Sequence, residues 1–417
     1  MKQALFTIFF FVNSLLLYPQ INLVIEGKEI ICTETGAYSG YVVPRDQPTF
    51  LIFRNNILNF SNASGYMLQA GDETPGVSNN NLDGEVITGN KFIWNGEVEE
   101  SWTHSVFTGY NINVILKYNY LERTPNGIQR KSNGMTDKSG VIAYNIIKSP
   151  RVGIVVKGMN GIKIFNNTLF SDKTPAQTGR ALIDIHTNTD GGLNAPSTGV
   201  KIFNNIFYTR NRVLNIWVYE EVCFEEFESD YNVFWCESGE PIFKVGDKFK
   251  SFSQWQAMGY DIHSVVINPG FTNFIDFVPS ERLNYGKDLG VDFIEGLATD
   301  AMWINTSPRT ALQNDKWQVG ARIFEEEVVI EDNLDSVTLI YPNPANRLFY
   351  VINNDPEKIY KTIKILNSNG LVIMQQALVS REKNLVHIPE HLTTGQYIVL
   401  LEGNDIARHI KKLVIIN

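Results

Sequence analysis

The stretch Ile164-Phe165-Asn166-Asn167-Thr168-Leu169 returns almost unchanged as Ile202-Phe203-Asn204-Asn205-Ile206-Phe207, and its reading decides the fold. Its second asparagine opens an Asn-x-apolar step that recurs at Asn56, Asn90, Asn119, Asn145, Asn167, Asn205 and Asn232. Successive steps lie 34, 29, 26, 22, 38 and 27 residues apart. The shortest interval sets a unit of about twenty residues, and the longer ones are units with loops. Short Val, Ile and Phe runs separated by Asn and Gly fit one coil of a parallel β-helix better than a helical repeat. In such a coil alternate side chains face inward. Asparagine tolerates a left-handed corner, where its amide can bond to the same side chain one coil away. The stacked asparagines are therefore predicted to form a ladder.

Composition agrees with a folded protein. The chain has 417 residues, 43% hydrophobic and 19% charged, enough apolar material for a core and too little charge for disorder. Net charge is -9, which argues against a dedicated nucleic-acid partner, so any basic site must be local. Cys32, Cys223 and Cys236 are too few for a disulfide scaffold and fit no zinc spacing, leaving a Cys223–Cys236 bridge or buried thiols open. Glycine-rich phosphate loops, nucleophile elbows and His-Glu-x-x-His are absent from the sequence.

Met1 and Lys2 followed by an apolar run from Ala4 to Tyr18 read as a signal peptide over residues 1–20, and no later segment is apolar for long enough to cross a bilayer. The β-helix with an irregular tail is expected over 21–324 and an acidic linker over 325–338. From 339 to 417, period-2 runs alternate with turns such as Asn367-Ser368-Asn369-Gly370, as in a small antiparallel, Ig-like sandwich. Four elements of this region occur in order: Tyr341-Pro-Asn-Pro344, Ile363 to Gly370, Leu392-Thr-Thr-Gly-Gln-Tyr397 and Lys411 to Ile415. They resemble the type A sorting domain of the type IX secretion system. That resemblance implies a Gram-negative source, the secretion machinery as a partner, and a secreted or cell-surface location reached through the periplasm. Asn367 stands where that family more often has Asp.

The repeat itself resembles right-handed parallel β-helix proteins of the pectate-lyase-like kind over about residues 22–320. The fold class is thus expected to be all-β, a right-handed parallel β-helix followed by the sandwich. Gln254-Trp255, Gly259 to Ser264 and Trp317 to Ala321 look like the closing region of secreted β-helices.

Candidate chemistry comes from aligning coils. Setting Ile128, Ile154, Ile183 and Leu214 at equivalent inward positions puts Lys131, Lys157, His186 and Trp217 three places on, and Gln129, Val155, Asp184 and Asn215 one place on, all facing outward. Neighbouring coils would be roughly 4.8 Å apart. Such a stripe suits an acidic polysaccharide, since amines meet carboxylates and an indole stacks on a sugar ring. An elimination lyase acting on uronic-acid polymers needs a base and a cation to hold enolate charge. Lys131, Lys157 and His186 are the catalytic candidates, with Gln129, Asp184, Asn215 and Trp217 as substrate contacts. Tyr118 to Arg123 followed by Lys131-Ser132 also looks like the alginate and chondroitin lyase branch. That resemblance would make Lys131 the base, put Lys157 in place of an arginine acid, and imply calcium. Thr124 and Asn126 stand where the family's acidic calcium ligands are expected.

Duller roles compete. Sheet-face lysines are usually solvated, His186 can satisfy a neighbouring backbone group, and Trp217 can pack under the loop carrying Cys223. Arg130 would point inward under strict alternation, so a register slip of one is the alternative. Asp261 and His263 form either a pair or a structural cap. The sequence reading is a surface-delivered β-helix that binds polysaccharide, with lyase cleavage of uronic-acid polymers as its enzymatic form. The alternative is a non-catalytic adhesin, or a scaffold displaying the loops 97–108 and 187–197.

Overall fold

The computed structural model describes residues 21–32, 41–42, 49–61, 66–71, 85–96, 104–109, 113–123, 126–132, 140–325, 338–353, 359–367, 371–378, 383–389, 392–403 and 408–415. The expected signal peptide, Thr124 and nearly all of the expected linker lie outside them. Strands between Ile21 and Ser251, joined by Val265–Val266, fall into three long sheets to which successive coils contribute one strand each. The first runs from Ile21–Glu26 to Glu228–Asp230, the second from Glu29–Cys32 to Val265–Val266, and the third from Tyr41–Val42 to Lys248–Ser251. All neighbours are parallel except Ile242–Val245 and Lys248–Ser251, whose antiparallel hairpin ends the third sheet. The architecture is a parallel β-helix, as the repeat predicted.

Its interior is built from vertical apolar columns. In the third sheet Leu68, Val106, Ile128, Ile154, Ile183 and Ile216 are registered one above another, each fully buried. Leu121, Ile147, Leu169, Phe207 and Phe234 do the same in the second. Each such side chain contributes roughly 1.5–3 kcal/mol by leaving water. Arg130 is inside this core, fully buried and donating to Thr108 Oγ1 at 2.5 Å. Strict alternation holds there, and the register does not slip.

The predicted ladder is present at the turn between the first and second sheets. From Asn56 to Asn205, each amide donates Nδ2 to Oδ1 of the next asparagine at 2.9–3.1 Å. That same oxygen also accepts the donor residue's backbone N–H at 2.8–3.0 Å. One expectation is corrected: the ladder residues are not the left-handed ones. The residue ahead of each is, as at Tyr118 (φ 61), Tyr144 (φ 56), Asn166 (φ 52) and Asn204 (φ 59). That residue makes the turn and leaves the following amide buried under the corner. Beyond Asn232 the ladder ends on Asp261, a fully buried carboxylate accepting from Asn232 Nδ2, Ser229, Ser264 and Trp255. Asp261 is therefore the structural cap. His263 instead faces Asp230, at 2.6 Å.

The segment after Val266 does not simply close the end. It runs back over the ladder corner and uses the left-handed residues as docking points. Tyr118 donates to the carbonyl of Glu295, Tyr144 to that of Phe293, and Asn166 to that of Gln318. Asn204 exchanges hydrogen bonds with the Lys287 backbone. Arg322, buried in this strap, donates to three carbonyls, and burial lowers its guanidinium pKa to about 10. Cys223 and Cys236 are both buried and free, so the bridge is not formed.

The C-terminal region is an antiparallel sandwich. Leu339–Tyr341, Leu348–Ile352 and Lys383–His387 form one sheet; Val372–Ala377, Tyr360–Leu366, Gly395–Gly403 and Arg408–Ile415 form the other. Phe349, Val351, Ile363, Ile365, Val399 and Leu413 fill the space between them. Asn343 of the Tyr-Pro-Asn-Pro entry bonds to the backbone of Lys412 and Val414, and Asn367 Oδ1 accepts the N–H of Leu371 in its turn.

Asn145 is a mid-ladder rung whose amide also donates to the carbonyls of Leu116 and Ala143. Asn145→Leu orphans the Asn119 N–H and takes a donor from both carbonyls, at about 1–3 kcal/mol for a buried group left unpaired. Thermal unfolding followed by circular dichroism is expected to show a loss of at least about 2 kcal/mol, whereas Asn59→Leu on the half-buried outer surface should be near neutral.

Candidate functional site

The outer surface of the third sheet carries the predicted residues on Asn126–Lys131, Val152–Lys157, Ala181–His186 and Leu214–Val218. Lys131, Lys157 and His186 are direct register partners and stack in one column. Gln129 is level with Val155 and then Asp184.

The next coil differs. Ile183 pairs with Ile216, not Leu214, which moves every outward residue of that strand by two. Trp217 is therefore beside Asp184, and the residue beside His186 is Tyr219. Asn215 leaves the groove altogether: it is 1% exposed and donates to the carbonyl of Ile242. Alternating apolar residues at 214, 216 and 218 settle which face is buried but not which step pairs with which, because a slip of two preserves the faces.

Both lysines converge on a residue that sequence reasoning passed over. Asp190, on the loop after Ala181–His186, takes Lys131 Nζ on Oδ2 and Lys157 Nζ on Oδ1, each at 2.7 Å. Lys131 is only 5% exposed beneath this carboxylate, so it is not the solvated surface lysine of the duller reading. Its only sequence signal is an acid in the turn Thr189-Asp190-Gly191-Gly192, within the loop noted as long.

A second network adjoins it. Asp184 is fully buried and accepts Arg180 Nε at 2.5 Å and the Ala181 N–H at 3.1 Å. His186 Nε2 lies 3.1 Å from Arg180 Nη2, so its partner is a side chain and not the backbone. Tyr219 stacks on His186 at 3.7 Å and on Trp217 at 3.8 Å, while Lys244 Nζ sits 3.6 Å from the Trp217 ring centroid. Two partners under 4 Å from one ring centre cannot share a face, so both faces of the indole are covered. Its Nε1 donates to the carbonyl of Gly246. Trp217 is a built-in layer of this stack, not an open sugar platform. Burial, with the Asp184 carboxylate nearby, pushes the Tyr219 hydroxyl far above its ordinary pKa.

Thr124, one of the two positions compared with calcium ligands, lies outside the described residues. Asn126 faces His104 at 3.4 Å, and among the described residues no group of three or more His, Cys, Asp or Glu could hold a metal ion.

Desolvation raises the Asp190 pKa, but hydrogen bonds and charge from Lys131 and Lys157 outweigh it, and the net shift is downward from 3.8. A depressed acid contributes stability above its unfolded pKa and loses it as pH falls through the folded one. The difference in thermal midpoint between the native chain and Asp190→Asn is therefore expected to be full well above 3.8 and to shrink on acidification through the lowered folded-state pKa.

Residues 339–416 match the family model of the secretion system C-terminal sorting domain. No curated protein and no solved structure matches the chain. Among the described residues no helix is long and apolar enough to cross a membrane. The C-terminal sandwich is thus a type IX secretion sorting domain, and the protein that carries it is exported or surface-attached.

Proposed function

We propose that the outer surface of the third sheet is an acidic-polysaccharide binding site displayed by a secreted β-helix. The observation that carries this reading is the pair Lys131 and Lys157, ammonium groups from adjacent coils that together engage one carboxylate, one oxygen each. A uronate offers the same two oxygens. Arg180 and Lys244 lie farther along the same surface, paired with Asp184 and Asp247. Sugar rings would lie over Gln129, which stays partly exposed, because Trp217 is already covered.

Binding without cleavage is the favoured form. Lys131 is only 5% exposed and already engaged by Asp190, so it is poorly placed as an elimination base. His186 is likewise committed to Arg180 and Tyr219. The site reads as an adhesin's or a glycan-retaining module's, with the pectate-lyase-like likeness confined to architecture.

Calorimetric titration with oligogalacturonate or oligomannuronate should show binding that weakens with salt, with none to a neutral dextran. Lys157→Ala removes a charge-assisted contact of about 1.5–3 kcal/mol and should weaken the affinity roughly tenfold or more. Absent uronate binding, or unchanged affinity in that variant, overturns the proposal. Ultraviolet-absorbing unsaturated uronate released by the native chain would overturn the non-catalytic part alone.

A further inference from the structure

We infer that Asp190 is an intramolecular stand-in for the ligand's carboxylate, so that the tip of its loop closes the lysine pair until an external carboxylate displaces it. This rests on the binding site proposed above and adds how that site is regulated.

The loop is built in two parts. Its base is fastened by bonds that do not involve Asp190. Asn188 and Ala195 exchange backbone hydrogen bonds at 2.7 and 3.0 Å, and Asn188 Nδ2 donates to the carbonyl of Ser132 at 2.7 Å. Ser197 Oγ donates to the carbonyl of His186, and Glu220 accepts the Thr187 N–H. Asn188 and Ser197 are fully buried.

The tip is different. Thr189, Gly191, Gly192 and Asn194 are exposed, and the two glycines take left-handed backbone, with φ of 61° and 84°. A Cβ at Gly192 would meet nothing within 4 Å, so the tip rests on no packed surface there. What joins the tip to the sheet is the Asp190 carboxylate on Lys131 and Lys157, supplemented by the Asp190 N–H on Asn188 Oδ1. A two-residue glycine hinge above a fixed base lets the carboxylate swing away without breaking the base bonds.

The contacts favour exchange. With Asp190 in place each ammonium is held by one carboxylate oxygen, and Lys131 is covered. Removing Asp190 without replacement would take one charge-assisted contact from each ammonium. An incoming uronate restores both contacts with the same hydrogen-bond geometry. The latch thus tunes apparent affinity: if it is closed in about nine molecules of ten, binding is about tenfold weaker than the open site would give.

The test compares the native chain with Asp190→Asn and Asp190→Ala, titrated with tetragalacturonate and followed in parallel by thermal unfolding. The latch predicts tighter binding, about tenfold, in both variants, and loss of that gain when Lys131→Ala is added. Native binding with unchanged or weaker affinity in both variants makes the contact a structural ion pair and overturns the latch, while the binding site stands. Binding by neither the native chain nor the variants overturns the site and the latch together. Binding only by the variants supports both.

Discussion

Everything in the β-helix depends on one backbone problem solved at every coil: the corner between the first and second sheets leaves polar groups inside. A buried amide without a partner costs more than a typical hydrogen bond returns, so each coil needs a donor and an acceptor there. Asparagine supplies both on one short side chain, and the asparagine of the neighbouring coil completes the pair. The ladder therefore ties coil to coil at a fixed height and pins the register of the strands on both sides. Asp261 is the corresponding solution where no further asparagine follows, an acceptor-only group meeting four donors.

That fixed height brings the candidate site together. Lys131, Lys157 and His186 are separated by 26 and 29 positions along the chain, yet they are neighbours because the parallel register of their strands stacks them coil on coil. Where the alternation of apolar residues allows a slip of two, the chain alone does not choose, and the pairing of Ile183 with Ile216 is decided by packing of the whole coil. This places Trp217 between Tyr219 and Lys244, a closed stack in which an indole stiffens the surface instead of presenting an open ring.

The strap formed by residues 267–324 has a parallel logic. The left-handed residues that turn each corner must send their side chains outward. Tyrosine and asparagine at those positions then offer a line of hydrogen-bond donors along the outside. The returning segment satisfies them with its backbone, so the same turn that buries the ladder also docks its cover. The sorting domain is organised independently, around its own apolar interior, as suits a part whose role is an address.

From the residues alone, periodicity settled what can be read locally: strands by alternation, coils by recurring asparagine, an outward cationic column, and a C-terminal sandwich with four ordered motifs. These are legible because burial on one face imposes a period of two, and stacking imposes a longer repeat. Three matters waited for the tertiary structure. Asp190 meets the two lysines from a loop whose path no periodicity encodes. Asn215 turned out buried and Trp217 displaced, because a shift of two residues leaves the facing pattern intact. The left-handed position belongs to the residue before each ladder asparagine, since only the assembled corner shows which of two adjacent residues turns the chain and which is left to bond beneath it.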